Sequence, residues 1–204
     1  LILLPLSQLV GAGADKLGDA SLTGCIQSGL RIDGSKLNVT GHDIQSAGVC
    51  FGQGCGDASL ITLSKAKGMS AGIAVTCRLW DATPADFCCH NVDRDDEFDL
   101  VADYVECGAD YVVGGGAEKF ENRPDGRNIF QELEAKGYQV ARSWEEAQAL
   151  KNGKIFAVTD KRDTPVPAER GDRLALSALK GMDIMDKNKK GFFMMIEGSQ
   201  LDDY

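Results

Sequence analysis

The chain has 204 residues, with 22 Lys and Arg against 31 Asp and Glu, a formal net charge of −9 at pH 7. Hydrophobic residues make up 43% and charged residues 26%, the balance of an ordinary folded domain rather than a disordered chain. The acidic surplus repels phosphate backbones and anionic lipid, so nucleic acid is not expected as a partner, and no apolar run approaches the roughly 20 residues that span a bilayer.

In chain order, the opening Leu1-Ile2-Leu3-Leu4-Pro5-Leu6 lacks a basic flank. It fits a buried strand of a chain that starts mid-protein, or the tail of a signal peptide's apolar core. Asp57 to Lys67 predicts a helix, with Leu60, Leu63 and Lys67 on one stripe, and Ala71 to Thr76 a buried strand. From Asp95 to Cys107, Phe98, Val101, Ala102 and Val105 recur at helical spacing behind an acidic start that suits the positive end of the helix dipole. Ala109 to Val113 reads as a short strand running into Gly114-Gly115-Gly116. Asn128 to Lys136 reads as a helix closed by Gly137, and Tyr138 to Ala141 as a strand. Ser143-Trp144-Glu145-Glu146 is a capping box opening a helix to Leu150. Lys154 to Val158 is a strand, Thr159 to Gly171 an irregular crossing, Arg173 to Lys187 a helix, and Gly191 to Glu197 a nearly all-apolar strand.

Short apolar strands separated by helices imply parallel pairing with helices on both faces, an α/β three-layer α/β/α architecture with a mostly parallel sheet. No linker divides the chain, so residues 1–204 are expected to form one partial domain. In such folds the site lies beyond the carboxyl ends of the strands. There the sequence places Asp81-Ala82-Thr83 and Arg94 after one strand, and Glu197-Gly198-Ser199-Gln200-Leu201-Asp202 after another. Carboxylates with a hydroxyl suit a hard cation such as Mg²⁺, and an Arg matches two phosphate oxygens. Read by themselves, the same residues also fit ordinary solvated acids, a turn at Asp81 bonding its own backbone, and a surface charge cluster around Arg94.

Seven cysteines occur: Cys25, Cys50, Cys55, Cys77, Cys88, Cys89 and Cys107. None shows the paired spacing of a zinc knuckle. Cys50 and Cys55 fit either a short disulfide loop or buried thiols, Cys77 and Cys107 fit buried thiols, and Cys88-Cys89-His90 has the composition of a ligand cluster. Asn38-Val39-Thr40 matches a glycosylation sequon.

Three segments carry a family resemblance. Asp81-Ala82-Thr83-Pro84-Ala85 with Arg94 nine residues on, Val112-Val113-Gly114-Gly115-Gly116 followed by Asp125-Gly126-Arg127-Asn128, and Gly191 to Asp202 together resemble the alkaline phosphatase family, in order and spacing, from about residue 20 to 204. The resemblance implies metal-dependent hydrolysis of small phosphomonoesters through a phosphoserine. Asp81, Thr83 and Glu197 would share one magnesium coordination sphere, Asp202 would be a zinc ligand, and Arg94 would clamp the phosphoryl oxygens. It also implies a periplasmic or extracellular location and is compatible with a homodimer.

The nucleophile departs from the pattern. A gap-free register places Asp19 where the family has its serine, while Ser21 lies two residues on, about 200° around a helix; Ser21 is the candidate if the loop shifts. The family's first zinc aspartate precedes the nucleophile and its histidine ligands follow the segment ending at Tyr204. The chain's only histidines, His42 and His90, match neither. The chain is therefore read as an internal fragment, inactive by itself and with exposed apolar sheet edges. The alternatives are a non-catalytic phosphatase-like domain keeping only the magnesium corner, which Gly18-Asp19-Ala20-Ser21 favours, and a phosphodiesterase or phosphate-group mutase, against which Arg94 and the Asp81–Thr83 motif argue.

Overall fold

A computed structural model describes residues 59–91 and 93–200, with the backbone of 30–33 and 36–39. The latter two segments are strands β1 (Leu30–Asp33) and β2 (Lys36–Val39), paired antiparallel with Leu30 opposite Val39. Asn38 of the sequon lies on β2.

The main sheet has five strands, β3 (Ser70–Arg78), β4 (Tyr111–Gly115), β5 (Gln139–Ala141), β6 (Ile155–Val158) and β7 (Phe192–Glu197), in the order β5-β6-β4-β3-β7. All four pairings are parallel, so every connection crosses over through helix. The crossover helices are α2 (Ala82–Cys88), α3 (Glu97–Cys107), α4 (Ile129–Ala135), α5 (Trp144–Ala149), α6 (Pro167–Arg170) and α7 (Arg173–Met185), and α1 (Leu60–Ala66) leads into β3. The period-2 alternation of strand side chains supplies both faces. Ile73, Val75, Val112, Phe156, Phe193 and Met195 pack with Ile61, Leu100, Tyr104, Phe130 and Leu133 of α1, α3 and α4. Ala74, Tyr111, Val113, Ile155, Ala157 and Met194 pack with Ala147 of α5 and Ala178 and Met185 of α7. The result is the three-layer parallel α/β architecture that the pattern predicts.

Local signals explain most boundaries. Ser59, Asp96, Asn128 and Ser143 each accept a backbone N–H with the side chain and so start α1, α3, α4 and α5. In the capping box, Ser143 accepts from the Glu146 N–H at 3.2 Å, but the Glu146 carboxylate reaches one residue further back, to the Arg142 N–H at 2.7 Å. Gly108 ends α3 at φ 77°, and Gly137 follows α4 at φ 85°, conformations that L side chains rarely adopt.

Ala82–Cys88, to which the sequence pattern assigns no element, is a helix although it contains Pro84, because proline at its third position lies in the first turn, where no intrahelical N–H partner is lost. Three sequence expectations are corrected. The crossing from Thr159 to Gly171 contains α6, opened by Pro167 at its first position. Strand β4 runs on through Gly114 and Gly115. A Cβ on Gly115 would lie 1.9 Å from the Arg162 carbonyl oxygen, so only glycine lets the 159–164 segment close over this strand end. Finally, among the described residues the exposed large hydrophobics are Leu176 and Leu179 of α7, not residues of edge strands: β5 is short and β7 keeps Phe193, Met194 and Met195 under helices.

Candidate active site

Strands β3 and β7 are neighbours with Val75 opposite Glu197, so their carboxyl ends open side by side. Asp81 follows β3 as the N-cap of α2, yet its side chain makes no capping hydrogen bond. Instead Arg78 Nη2 lies 3.3 Å and 3.5 Å from its two oxygens. The Arg78 Nε lies 3.4 Å from Asp163, which also accepts the Arg78 backbone N–H at 3.1 Å. Burial alone would lower the Arg78 pKa; Asp81 and Asp163 more than offset it and hold the guanidinium charged. Asp81 is thus turned away from its own helix.

Glu197 closes β7. Its pKa is raised because burial penalises the carboxylate, with Asp81 adding repulsion, while the hydroxyls of Thr83 and Ser199 face it and act the other way. These are electrostatic neighbours rather than tight hydrogen bonds, since Glu197 Oε2 and Ser199 Oγ are buried without a hydrogen-bond partner. Ser199 is fixed by its N–H, which donates to the buried Thr76 hydroxyl at 3.0 Å. Thr164 donates through both N–H and hydroxyl to the Thr76 carbonyl, and Gln200 donates to the Thr164 carbonyl at 2.8 Å. The 199–200 segment is therefore bolted to the end of β3.

Asp86 stands one turn beyond Thr83 on α2. Burial, opposed by Arg94 and aided by Glu197, raises its pKa to about 8, and its Oδ1 is buried without a partner. Arg94 sits in the connection between α2 and α3 with its side chain 57% exposed, 3.9 Å from Asp95 and close enough to Asp86 to be felt there. Arg78, Asp86, Asp163 and Ser199 were not among the residues that sequence reasoning singled out. Asp86 had a signal in its i+3 spacing from Thr83, visible once 82–88 is read as helix; Asp163 had none, because its loop is placed only by tertiary structure.

Of the expected site residues, the structure brings Asp81, Thr83 and Glu197 together and leaves Arg94 at their margin. Ser21, Asp202, Asp19, His42, Cys25, Cys50 and Cys55 lie outside the described residues. Cys88 and Cys89 are buried in the core, with the Cys89 thiol donating to the Leu100 carbonyl, and the His90 N–H donates to Asp103. Among the described residues no three His, Cys, Asp or Glu side chains are grouped to hold a metal. The corner instead offers two carboxylates and a hydroxyl. With Asp163 and Arg78 included, it carries two uncompensated negative charges and one orphaned carboxylate oxygen. That donor set fits a hard divalent cation and does not fit zinc, which favours imidazole and thiolate.

A parallel sheet covered on both faces, with an acidic, oxygen-lined corner at its carboxyl edge, defines a class of α/β proteins that bind ligands at strand ends. Within that class, the alkaline phosphatase family model matches residues 34–204, and the chain belongs to the alkaline phosphatase family. It is similar to alkaline phosphatase 4 of Bacillus subtilis, 32% identical over 161 residues that cover 71% of this chain and 33% of that protein. It also resembles the repressible alkaline phosphatase of Saccharomyces cerevisiae, 29% identical over 185 residues, covering 72% and 32%. Among solved structures, the cold-active alkaline phosphatase of the psychrophile Shewanella sp. superposes with a TM-score of 0.64 at 30% identity, covering 70% of this chain and 35% of that one. The chain spans about a third of the length of these relatives.

Proposed function

We propose that the protein containing this chain hydrolyses phosphomonoesters. The observation that carries this reading is the meeting of Asp81, Thr83 and a buried, unpartnered Glu197 oxygen at the carboxyl edge of the sheet, in a member of this family. Asp81, Thr83 and Glu197 would hold Mg²⁺. Bound cations would supply charge neutralisation at the phosphoryl oxygens and activation of the attacking oxygen.

The chain's own residues set the rest. Arg94, exposed and 3.9 Å from Asp95, would fork two phosphoryl oxygens, drawn away from Asp95 by the stronger charge of a dianion. Arg78 holds the Asp81 carboxylate, which makes no capping bond to its own helix. Ser21 would attack phosphorus in line, and water would then release phosphate from the phosphoserine. Zinc, with Asp202 as a ligand, belongs to the proposal through family membership, as do a periplasmic or secreted location, a homodimer, and residues 1–204 as part of a single domain. Among the described residues no helix is long and apolar enough to cross a membrane.

The test is hydrolysis of p-nitrophenyl phosphate by the full-length gene product, with and without chelator. Cation-dependent turnover that falls at least tenfold in Arg94→Ala is expected. A full-length protein without turnover under any cation, yet stabilised by Mg²⁺, supports the second reading, a non-catalytic domain keeping the magnesium corner, which the Asp19 register favours.

A further inference from the structure

Beyond their last pair, Val75 opposite Glu197, strands β3 and β7 are held by a different set of bonds. On its other side β3 is irregular: a step of four residues, from Ala74 to Arg78, is matched by a step of two on β4, from Val113 to Gly115. Thr76 lies in that gap, and chain from elsewhere takes up its polar atoms. Its carbonyl accepts the Thr164 N–H at 3.0 Å and the Thr164 hydroxyl at 2.9 Å, and its own hydroxyl accepts the Ser199 N–H at 3.0 Å.

One residue further on, the buried Gln200 uses both ends of its carboxamide. Its Nε2 donates to the Thr164 carbonyl at 2.8 Å, and its Oε1 accepts from Arg170 Nη1, which also donates to the Pro165 carbonyl at 3.1 Å. These partners fix which way the amide points, because a guanidinium can only donate and a carbonyl can only accept. A closed set of bonds therefore joins Thr76 of β3, Thr164, Gln200 and Arg170 at the end of α6. Just ahead of it stands Glu197, separated from Ser199 by Gly198, which has no side chain to restrain the backbone. The Glu197 Oε2 is buried with no hydrogen-bond partner, and a carboxylate oxygen in that state gains by turning toward water. The ladder before it and the bonded set after it oppose that turn.

We propose that Gln200, clamped by Arg170, is a positioning residue for Glu197. The amide bridge fixes the exit of β7, so that the carboxylate stays in the corner it shares with Asp81 and Thr83. Glutamine suits the place because it must accept at one end and donate at the other; an acid would set a second acceptor against the Thr164 carbonyl. Neither Gln200 nor Arg170 serves as a cation ligand, and both act through the backbone of Ser199 and Gly198. The benefit to hydrolysis rests on the reading of that corner as a cation site proposed above; the hold on Glu197 does not.

The experiment compares the full-length wild type with Gln200→Met, Arg170→Met and Arg170→Lys. Methionine is close to glutamine in volume and makes neither bond. Unfolding midpoints are measured in chelator and then across a Mg²⁺ titration, which reports affinity separately from the stability of the metal-free chain. Gln200→Met and Arg170→Met should each need about tenfold more Mg²⁺ than wild type for the same rise. Arg170→Lys, which still donates to Gln200, should stay close to wild type. A purely structural bridge would lower the midpoints in chelator and leave the Mg²⁺ requirement where it was, and that result overturns the proposal. In chelator, a carbodiimide with glycine ethyl ester should couple to Glu197 faster in Gln200→Met than in wild type, read by mass spectrometry of the tryptic peptide that begins at Gly191. Equal coupling also overturns the proposal. A wild type that Mg²⁺ does not stabilise removes the cation reading of the corner, and the coupling rates then decide the positioning of Glu197 by themselves. Should Gln200→Met fail to fold, Arg170→Met supplies both readouts.

Discussion

Asp86 and Glu197 are two carboxyls that the fold holds partly out of water without hydrogen-bond partners for one oxygen each, and both carry raised pKa values in consequence. For Asp86 the folded value is about 8 against an ordinary 3.8. Across that interval the folded chain keeps a proton that the unfolded chain has released, so the contribution of Asp86 to stability is most favourable below about pH 4 and falls as pH rises toward 8. Asp86→Asn should remove that slope and raise stability at pH 8 by roughly 2 kcal/mol, a figure discounted for partial solvent access. Urea unfolding of both proteins in chelator at pH 5 and pH 8 checks it; equal differences at the two pH values would contradict the assignment. Glu197→Gln should behave in two opposite ways. Without cations it should relieve a buried charge and leave the unfolding temperature unchanged or higher, whereas the rise that millimolar Mg²⁺ is expected to give the wild type should vanish. A Glu197→Gln protein that Mg²⁺ still stabilises fully would remove the carboxylate from the cation corner.

At the scale of elements, legibility followed local physics. Helix α3 was plain from Phe98, Val101, Ala102 and Val105 because its stripe is long, acidic at the start and ended by a glycine. The starts of α4 and α5 were plain because Asn128 and Ser143 cap their own helices. By contrast α2 was hidden: seven residues with a β-branched Thr83 and a proline give little periodicity, and its start is marked by an Asp81 whose side chain serves the site instead of the helix. Strand β4 was cut short in the reading because Gly114 and Gly115 have poor strand propensity, and only the close approach of the Arg162 carbonyl explains them. Gly115→Ala should therefore cost about 3 kcal/mol or more, through the overlap of Cβ with that carbonyl. It should also loosen Asp163 from Arg78, since Asp163 rides on the displaced segment while Arg78 stays on β3. Thermal unfolding measures the first effect, and a wild-type midpoint in the variant would mean the segment yields freely.

Across the whole molecule, the architecture could be read from the alternation of short apolar strands with helices, but the strand order could not, because neighbours in this sheet are set by crossovers and not by sequence proximity. That is why Asp81, Thr83 and Glu197 could be proposed together only through family resemblance, and why Asp163, from a loop between β6 and α6, was missed altogether. The other face of the sheet carries an open groove of about 290 Å³ between α5 and α7, lined by Tyr111, Trp144, Ser177 and Lys180 among others. It has no lining residue in common with the acidic corner. Beside it Leu179 is 61% exposed, so Leu179→Lys should alter stability by no more than about 0.5 kcal/mol while lowering self-association measured by light scattering. A large loss of stability would show that this leucine is covered in solution.

The position of β7 has a temporal consequence. The strand pairs with β3, more than a hundred residues earlier in the chain, so a ribosome releases Asp81 and Thr83 long before it releases Glu197. Pairings between such distant segments are slow to form. Until that last zippering, the two proposed ligands Asp81 and Thr83 would face an unfilled slot, and a divalent ion would have nothing to complete its shell. Cation retention would accordingly mark a chain whose sheet is finished, and a stalled or truncated nascent chain should pass through the cell without capturing the ion.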